Sequence, residues 1–375
     1  MKCFTKFAVA MLTIILLSST VTGCGLSEKQ STTTSKDSTK EKMQVAFIYN
    51  AQIGDYGWAY SHDVARKEIE KKLDYVKTVA LENVAPGAKA ERTMRELASR
   101  GFEVIVAPSS DYEADVLKVA KDLPNVKFLI CGGTVSQKPN VESFWPKHYQ
   151  MWYIMGKLAG YMTKTDVLGI VGAIVHPLDL QTQNAFTLGA LSVNPKVKVR
   201  CLYINTYYDP AAEKDAAKSL INVGADVIAQ STNTPSHVQA AEEEGVYALS
   251  MWADMHKFGP KAFLSGDNFD WSQYYIPTIE EIHQGKWTPK MATFDITSGI
   301  LRMADFGESV PQDVKDKIKA ELDKVVKGGV DPDNFWQGPI YDNKDNLVVP
   351  KGEKLTEEQL LNMNWWVKGV VTSKK

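Results

Sequence analysis

The sequence predicts an α/β fold made of two similar, doubly wound lobes. Three observations carry that expectation. From Gln44 onward, short apolar runs alternate with longer segments of helical period, as in a parallel sheet covered by helices. The first series ends at Cys131-Gly132-Gly133, and a second series of the same kind starts at Tyr149. The folded body, about 330 residues, is larger than one hydrophobic core usually sustains, so two lobes are expected.

In the first half, 45–49 reads as a strand, 61–72 as a helix, 75–81 as a strand and 88–100 as a helix stopped by Gly101. Segments 104–107, 112–122 and 126–131 continue as strand, helix and strand. The second half opens with a helix over 149–163. Strand 168–175 and helix 181–193 follow, the helix ending before Asn194-Pro195. Next come strand 197–204, helix 211–223 stopped by Gly224, strand 226–229, helix 236–244 stopped by Gly245, and strands 246–250 and 262–264.

Upstream of the body, a basic start (1–6) leads into an apolar run (7–17) and then Val21-Thr22-Gly23-Cys24. This reads as a secretory signal over 1–23 with a small-residue cleavage site. It looks like a bacterial lipobox, in which Cys24 becomes a lipid-modified N-terminus. The apolar run is shorter than the roughly 20 residues that span a bilayer. Segment 24–42 reads as a disordered tether, because 27–42 holds no aliphatic or aromatic residue to bury. The body is therefore expected outside the cytoplasm, anchored to the cell membrane and away from cytosolic ATP and NAD.

Net charge is −2 with acids and bases interspersed, which excludes an electrostatic nucleic-acid binder. Beyond Cys3 and Cys24 only Cys131 and Cys201 remain, with no CxxC; they read as buried thiols, a disulfide staying open. The six histidines show no metal-ligand spacing. No GxSxG, HExxH, P-loop or GxGxxG after the first strand occurs. No enzyme activity, metal or cofactor is expected.

Ligands of open α/β sheets bind beyond the carboxyl ends of the strands, and two such lobes form a cleft that closes on a hinge. The first strand runs into a loop with Asn50, Asp55, Gly57, Trp58 and Tyr60. Trp58 and Tyr60 offer flat π-faces to a planar ring, Gly57 permits close backbone approach, and Asp55 supplies acceptors. The alternative for Trp58 is a core aromatic at the helix start. Later strand ends carry Ser109-Ser110-Asp111, His176-Pro177-Leu178-Asp179, Tyr207-Tyr208, Asn233, Trp252-Ala253-Asp254 and Asp267 to Trp271. Aromatics mixed with carboxylates and amides suit a polar, planar ligand, and a sugar would want the same ingredients.

These stretches resemble the basic membrane protein family of ABC-transporter substrate-binding lipoproteins, which includes purine-nucleoside receptors. The similar segments are GDYGWAYSHDVARK (54–67), HYQMWYIMGKLAGYMTKT (148–165), NAFTLGALSVNPKVKV (184–199), the run from YYDPAAEKDAAK (207–218) to Leu249, and GPIYDNKDNLVVPKGEKLTEEQLLNMNWWVKGV (338–370). The resemblance implies a type I periplasmic-binding-protein fold, with two Rossmann-like lobes, a hinge, three crossovers and an interlobe cleft. One lobe would hold 43–146 and 266–292, the other 147–265 and 293–375. It further implies capture of a purine (adenine or a purine nucleoside) and delivery to an ABC permease; a monomer is expected. By the same resemblance Trp58 stacks on the base, Phe186 forms the opposite face, Asp254 is the acid that holds ribose hydroxyls in nucleoside binders, and Asn233 is a polar strand-end contact. Asp55, Tyr60, Asn184 and Trp271 complete the expected set. Nucleoside-binding members carry an SFN-type motif where this chain has Gly57-Trp58-Ala59, and a ribose-binding lysine has no counterpart. Both departures favour a free base. A sugar, a ribose-bearing signal or a surface sensor without transport are the alternatives.

Overall fold

A computed structural model describes residues 42–372. The expected signal, Cys24 and nearly all of the tether lie outside the described residues. The first βα series comprises β1 (Met43–Ile48), α1 (Trp58–Lys72), β2 (Val76–Leu81), α2 (Ala88–Ser99), β3 (Val104–Ala107), α3 (Glu113–Ala120), β4 (Lys127–Cys131) and β5 (Val141–Pro146). The second comprises α4 (Tyr149–Met162), β6 (Val167–Gly172), α5 (Pro177–Val193), β7 (Lys198–Tyr203), α6 (Pro210–Asn222), β8 (Val227–Gln230), α7 (Ser236–Glu244), β9 (Tyr247–Trp252) and β10 (Phe263–Phe269). The remainder is α8 (Ser272–His283), β11 (Met291–Phe294), β12 (Leu301–Met303), α9 (Gln312–Val326), β13 (Ile340–Tyr341), β14 (Leu347–Val349), α10 (Glu357–Leu361) and β15 (Val370–Thr372).

Two sheets result. One has the order β11-β5-β4-β3-β1-β2 and is parallel throughout. The other has the order β12-β10-β9-β8-β6-β7-β15 and is parallel except for the β10–β12 pair. Each contains the same doubly wound arrangement, whose strand order reverses beside its first strand: β1 in one lobe, β6 in the other. Strands buried on both faces explain their continuous apolar runs, such as the wholly buried Val104 to Ala107.

The chain crosses between lobes after β5, after β10 and after β11. The middle excursion differs from the expected 266–292. β10 stays paired with β9 as far as Asn268 opposite Trp252, and β11 pairs with β5 as far as Phe294 opposite Pro146. Backbone pairing thus holds 266–269 in the second lobe and 293–294 in the first. Hydrophobic periodicity does not reveal strand β5, because Glu142 and Ser143 interrupt its apolar run. Both are buried: Tyr274 donates to the Glu142 carboxylate at 2.8 Å, and the Ser143 hydroxyl donates to the Val135 carbonyl at 2.6 Å.

Helices α4 and α5 cross at very short range. A Cβ at Gly156 would collide with the Phe186 carbonyl, and one at Gly189 with the Tyr153 carbonyl. Both faces of α5 are consequently buried. Cys131 and Cys201 are free, buried thiols, one in each sheet.

Candidate functional site

The carboxyl-end loops of both sheets meet around a cavity of about 410 Å³. It lies where doubly wound sheets present ligands, beside the strands at which the order reverses. The first lobe contributes Asn50, Ala51 and Trp58 after β1, Ser109 to Asp111 after β3, Gly132 after β4 and Trp145 from β5. The second contributes Ile174, His176, Leu178 and Asp179 around the start of α5, Thr206 to Tyr208 after β7, Asn233 after β8 and Trp252 at the end of β9. His148, at the first crossover, lies between them.

Three indoles and an imidazole form the apolar wall. Trp58 meets Trp252 edge-on at 4.8 Å and lies 5.9 Å from Trp145, tilted by 33°. Its indole N–H donates to the Pro108 carbonyl, which fixes the ring. His148 stacks on Trp252 at 5.7 Å. Trp252 adopts φ +77°, a left-handed conformation unusual for a bulky residue. Its indole N–H donates to the Thr232 carbonyl at 3.1 Å, and such strain is characteristically kept at working sites. His148 is neutral, because burial pushes its pKa down to about 3.

The polar groups sit on both lobes. Asn50 donates to Asp111 at 3.1 Å. The Tyr207 hydroxyl donates to Asp179 at 3.2 Å, and burial raises the Asp179 carboxyl to about 7, against the lowering effects of Tyr207 and Ser231. His176 caps α5 by accepting from the Leu178 N–H at 3.3 Å. Among the described residues no Lys or Arg lines the cavity.

The lobes touch in front of the cavity. The Trp58 N–H donates to Asn233 Oδ1 at 3.3 Å across the cleft. A Cβ on Gly57 would lie 2.5 Å from Asn233 Cβ. Tyr56 packs edge-on against Phe258 at 4.9 Å, under the Lys257 ammonium at 3.9 Å from its ring centre. The structure is therefore the closed form of a hinged pair of lobes.

Residues 42–334 match the family described as ABC transporter substrate-binding protein PnrA-like, Bmp. The chain belongs to this family. A purine-binding protein of Brucella abortus is 37% identical over 332 residues, covering 88% of this chain and 93% of that protein. A Haloferax volcanii protein, named provisionally as an ABC transporter glucose-binding protein, is 30% identical over 87% of this chain and 82% of its own length. Among solved structures, an ABC transporter solute-binding protein from Conexibacter woesei superposes with a TM-score of 0.66 at 22% identity. It covers 78% of this chain and 99% of that one, and shows the fold alone. The Bmp chain is thus an ABC transporter substrate-binding protein with two Rossmann-like lobes, and such proteins work outside the cytoplasm. Among the described residues no helix is long and apolar enough to cross a membrane, and no cluster of His, Cys, Asp or Glu could hold a metal.

Of the residues expected at the site of this Bmp protein, Trp58 and Asn233 line the cavity and the other six do not. Phe186 is fully buried in the α4–α5 crossing, 5.6 Å from Trp152, so it supplies no second face. Asn184 instead clamps the C-terminal segment, donating to the Trp365 carbonyl at 2.9 Å and accepting from the Val367 N–H at 2.8 Å. Asp55 is buried beneath the loop and accepts from the Gly57 N–H at 2.7 Å; burial raises its carboxyl to about 6. Tyr60 stacks on Tyr56 at 4.6 Å. Trp271 is buried against His62 at 4.3 Å, its indole N–H donating to Ser61 Oγ at 3.0 Å. Asp254 accepts from the His256 N–H at 2.7 Å and faces a different cavity, of about 460 Å³, between α1 and β10.

Trp145, His148 and the roles of Trp252 and Asp179 were missed. Trp145 ends a strand that periodicity did not reveal. Trp252 and Asp179 stand in strand-end segments that were singled out, where the helical and strand phases needed to choose between neighbours were unknown.

Proposed function

We propose that this protein captures a purine, as free base or nucleoside, in the cleft between its lobes and delivers it to an ABC permease. One observation carries the reading: a closed cleft walled by Trp58, Trp145 and Trp252 and edged by Asp111, Asp179 and Asn233, with no Lys or Arg among the described residues that line it. Indoles favour a flat aromatic ligand. Carboxylates and amides match ring N–H and amino groups. The lack of Lys and Arg disfavours phosphate, and so a nucleotide. The purine-binding name of the Brucella abortus relative agrees with this reading. Closure over the ligand would shift the open–closed equilibrium and present one surface to the permease. The N-terminal sequence supports tethering of the body through a lipid on Cys24, and mass spectrometry of the membrane-extracted N-terminus checks that attachment.

A second reading is a hexose, favoured by the name of the Haloferax volcanii relative and by the same stacking walls. The deciding experiment is mass spectrometry of small molecules released by denaturing the purified body, followed by thermal shift with adenine, adenosine, guanine, guanosine and glucose. A ligand at 100 times its Kd adds about 2.7 kcal/mol of stability. A shift with glucose and with no purine would replace the purine reading.

A further inference from the structure

Resting on the purine reading, we propose that Asp179 selects between purine types. As a neutral acid it presents one donor and one acceptor, and as a carboxylate two acceptors. A 6-amino purine offers an amino donor beside a ring-nitrogen acceptor, whereas guanine offers adjacent N–H donors on its own edge. The acid form therefore complements adenine, and the carboxylate complements guanine.

The geometry supports both states of the group. Asp179 lines the cavity yet is only 8% exposed, and it stands in the first turn of α5. Its partner in the structure is the Tyr207 hydroxyl at 3.2 Å, which donates to a carboxylate and can accept from an acid. The titratable groups around it are few. Tyr207 and Tyr203 are held protonated by burial, which pushes both hydroxyls well above their usual range. His176, three residues before it in sequence, is pushed down by burial. Asp111, from the first lobe, acts on both Tyr207 and His176. Among the described residues no Lys or Arg in the lining holds the carboxyl ionised. Its midpoint near 7 places the change of state within the physiological range.

The test is tryptophan-fluorescence titration of the tether-free body with adenine and with guanine across pH. With a midpoint of about 7, a ligand that binds one protonation state alone changes affinity about 30-fold between about pH 5.5 and about pH 8.5. Adenine is expected to weaken over that range and guanine to tighten. Asp179→Asn, fixed with one donor and one acceptor, should hold adenine with a flat pH profile and lose guanine at every pH. Tyr207→Phe removes a donor to the carboxylate, so the midpoint should move up; this keeps the test alive if Asp179→Asn does not fold. Purine binding whose pH profile is unchanged by either variant, or whose midpoint moves instead with His176→Gln, overturns the role of Asp179 alone. No purine binding by the wild type at any pH overturns the purine reading and this inference with it.

Discussion

Trp58 holds two positions at once, against the cavity and against the core. The sequence could place it at a strand end but could not show that its edges meet Trp252, Trp271 and His62. Trp58→Ala should therefore weaken purine binding by about 1–3 kcal/mol, the usual worth of a base–aromatic stack. It should also lower the melting temperature without ligand, because those ring contacts go as well. Calorimetric titration and thermal unfolding of the same variant read the two effects separately. Its neighbour Gly57 gives a sharper test of closure. A methyl group there would strike Asn233 only when the lobes meet, so Gly57→Ala should reduce affinity at least tenfold and leave ligand-free stability unchanged. Small-angle scattering with saturating ligand should show that variant more open than the wild type. Asn233, like Trp58, was legible because a residue just beyond a parallel strand has few places to go other than the switch point. Phe186 was not, because a helix buried on both faces has no polar stripe to mark which side meets the cleft.

The alternation of strand and helix repeated in the two halves was readable at the level of elements, since each βα unit announces itself by a change of period and a glycine stop. The contacts between elements were not. Close crossing of α4 and α5 depends on two residues without side chains, Gly156 and Gly189, which in sequence are indistinguishable from weak points in a helix. Gly189→Val should push the helices apart and cost about 1–3 kcal/mol or more in urea unfolding, the typical penalty of overpacking. Asp179 stands in the first turn of α5 itself, so affinity should fall with stability. The expected excursion of 266–292 missed its ends for a related reason. Where a strand leaves its sheet is decided by cross-strand pairing, here Asn268 with Trp252 and Phe294 with Pro146, and not by hydropathy.

Across the whole molecule, folding leaves several ionisable groups in places where the charged form is disfavoured, and their effects on stability oppose one another. His62 and His148 are buried with pKa values pushed down by desolvation, that of His148 to about 3. Their contribution is complete above the unfolded value of about 6.5 and is lost as pH falls below it. Asp179, near 7, and Asp267 have the opposite sign. Asp267 on β10 is fully buried, neither carboxylate oxygen makes a hydrogen bond of ordinary geometry among the described residues, and burial raises its pKa well above the usual carboxylate range against a smaller lowering effect of the nearby Trp152 indole. The native state thus keeps a proton that the unfolded chain releases above about pH 4, so stability falls as pH rises from there towards the folded pKa. Above about pH 6.5 the histidines add nothing further, and the carboxyls set the slope until about pH 8.5, where the buried Cys131 and Cys201 thiols, also raised by burial, add to it. Ligand-free protein should accordingly lose stability between neutral and mildly alkaline pH. Asp267→Asn keeps the shape of the neutral acid without a dissociable proton. It should remove about 1.4 kcal/mol per pH unit of that decline, one proton's worth, and be more stable than the wild type at about pH 8. Chemical denaturation at a series of pH values measures both slopes, and parallel profiles would mean that Asp267 is ionised in the folded protein.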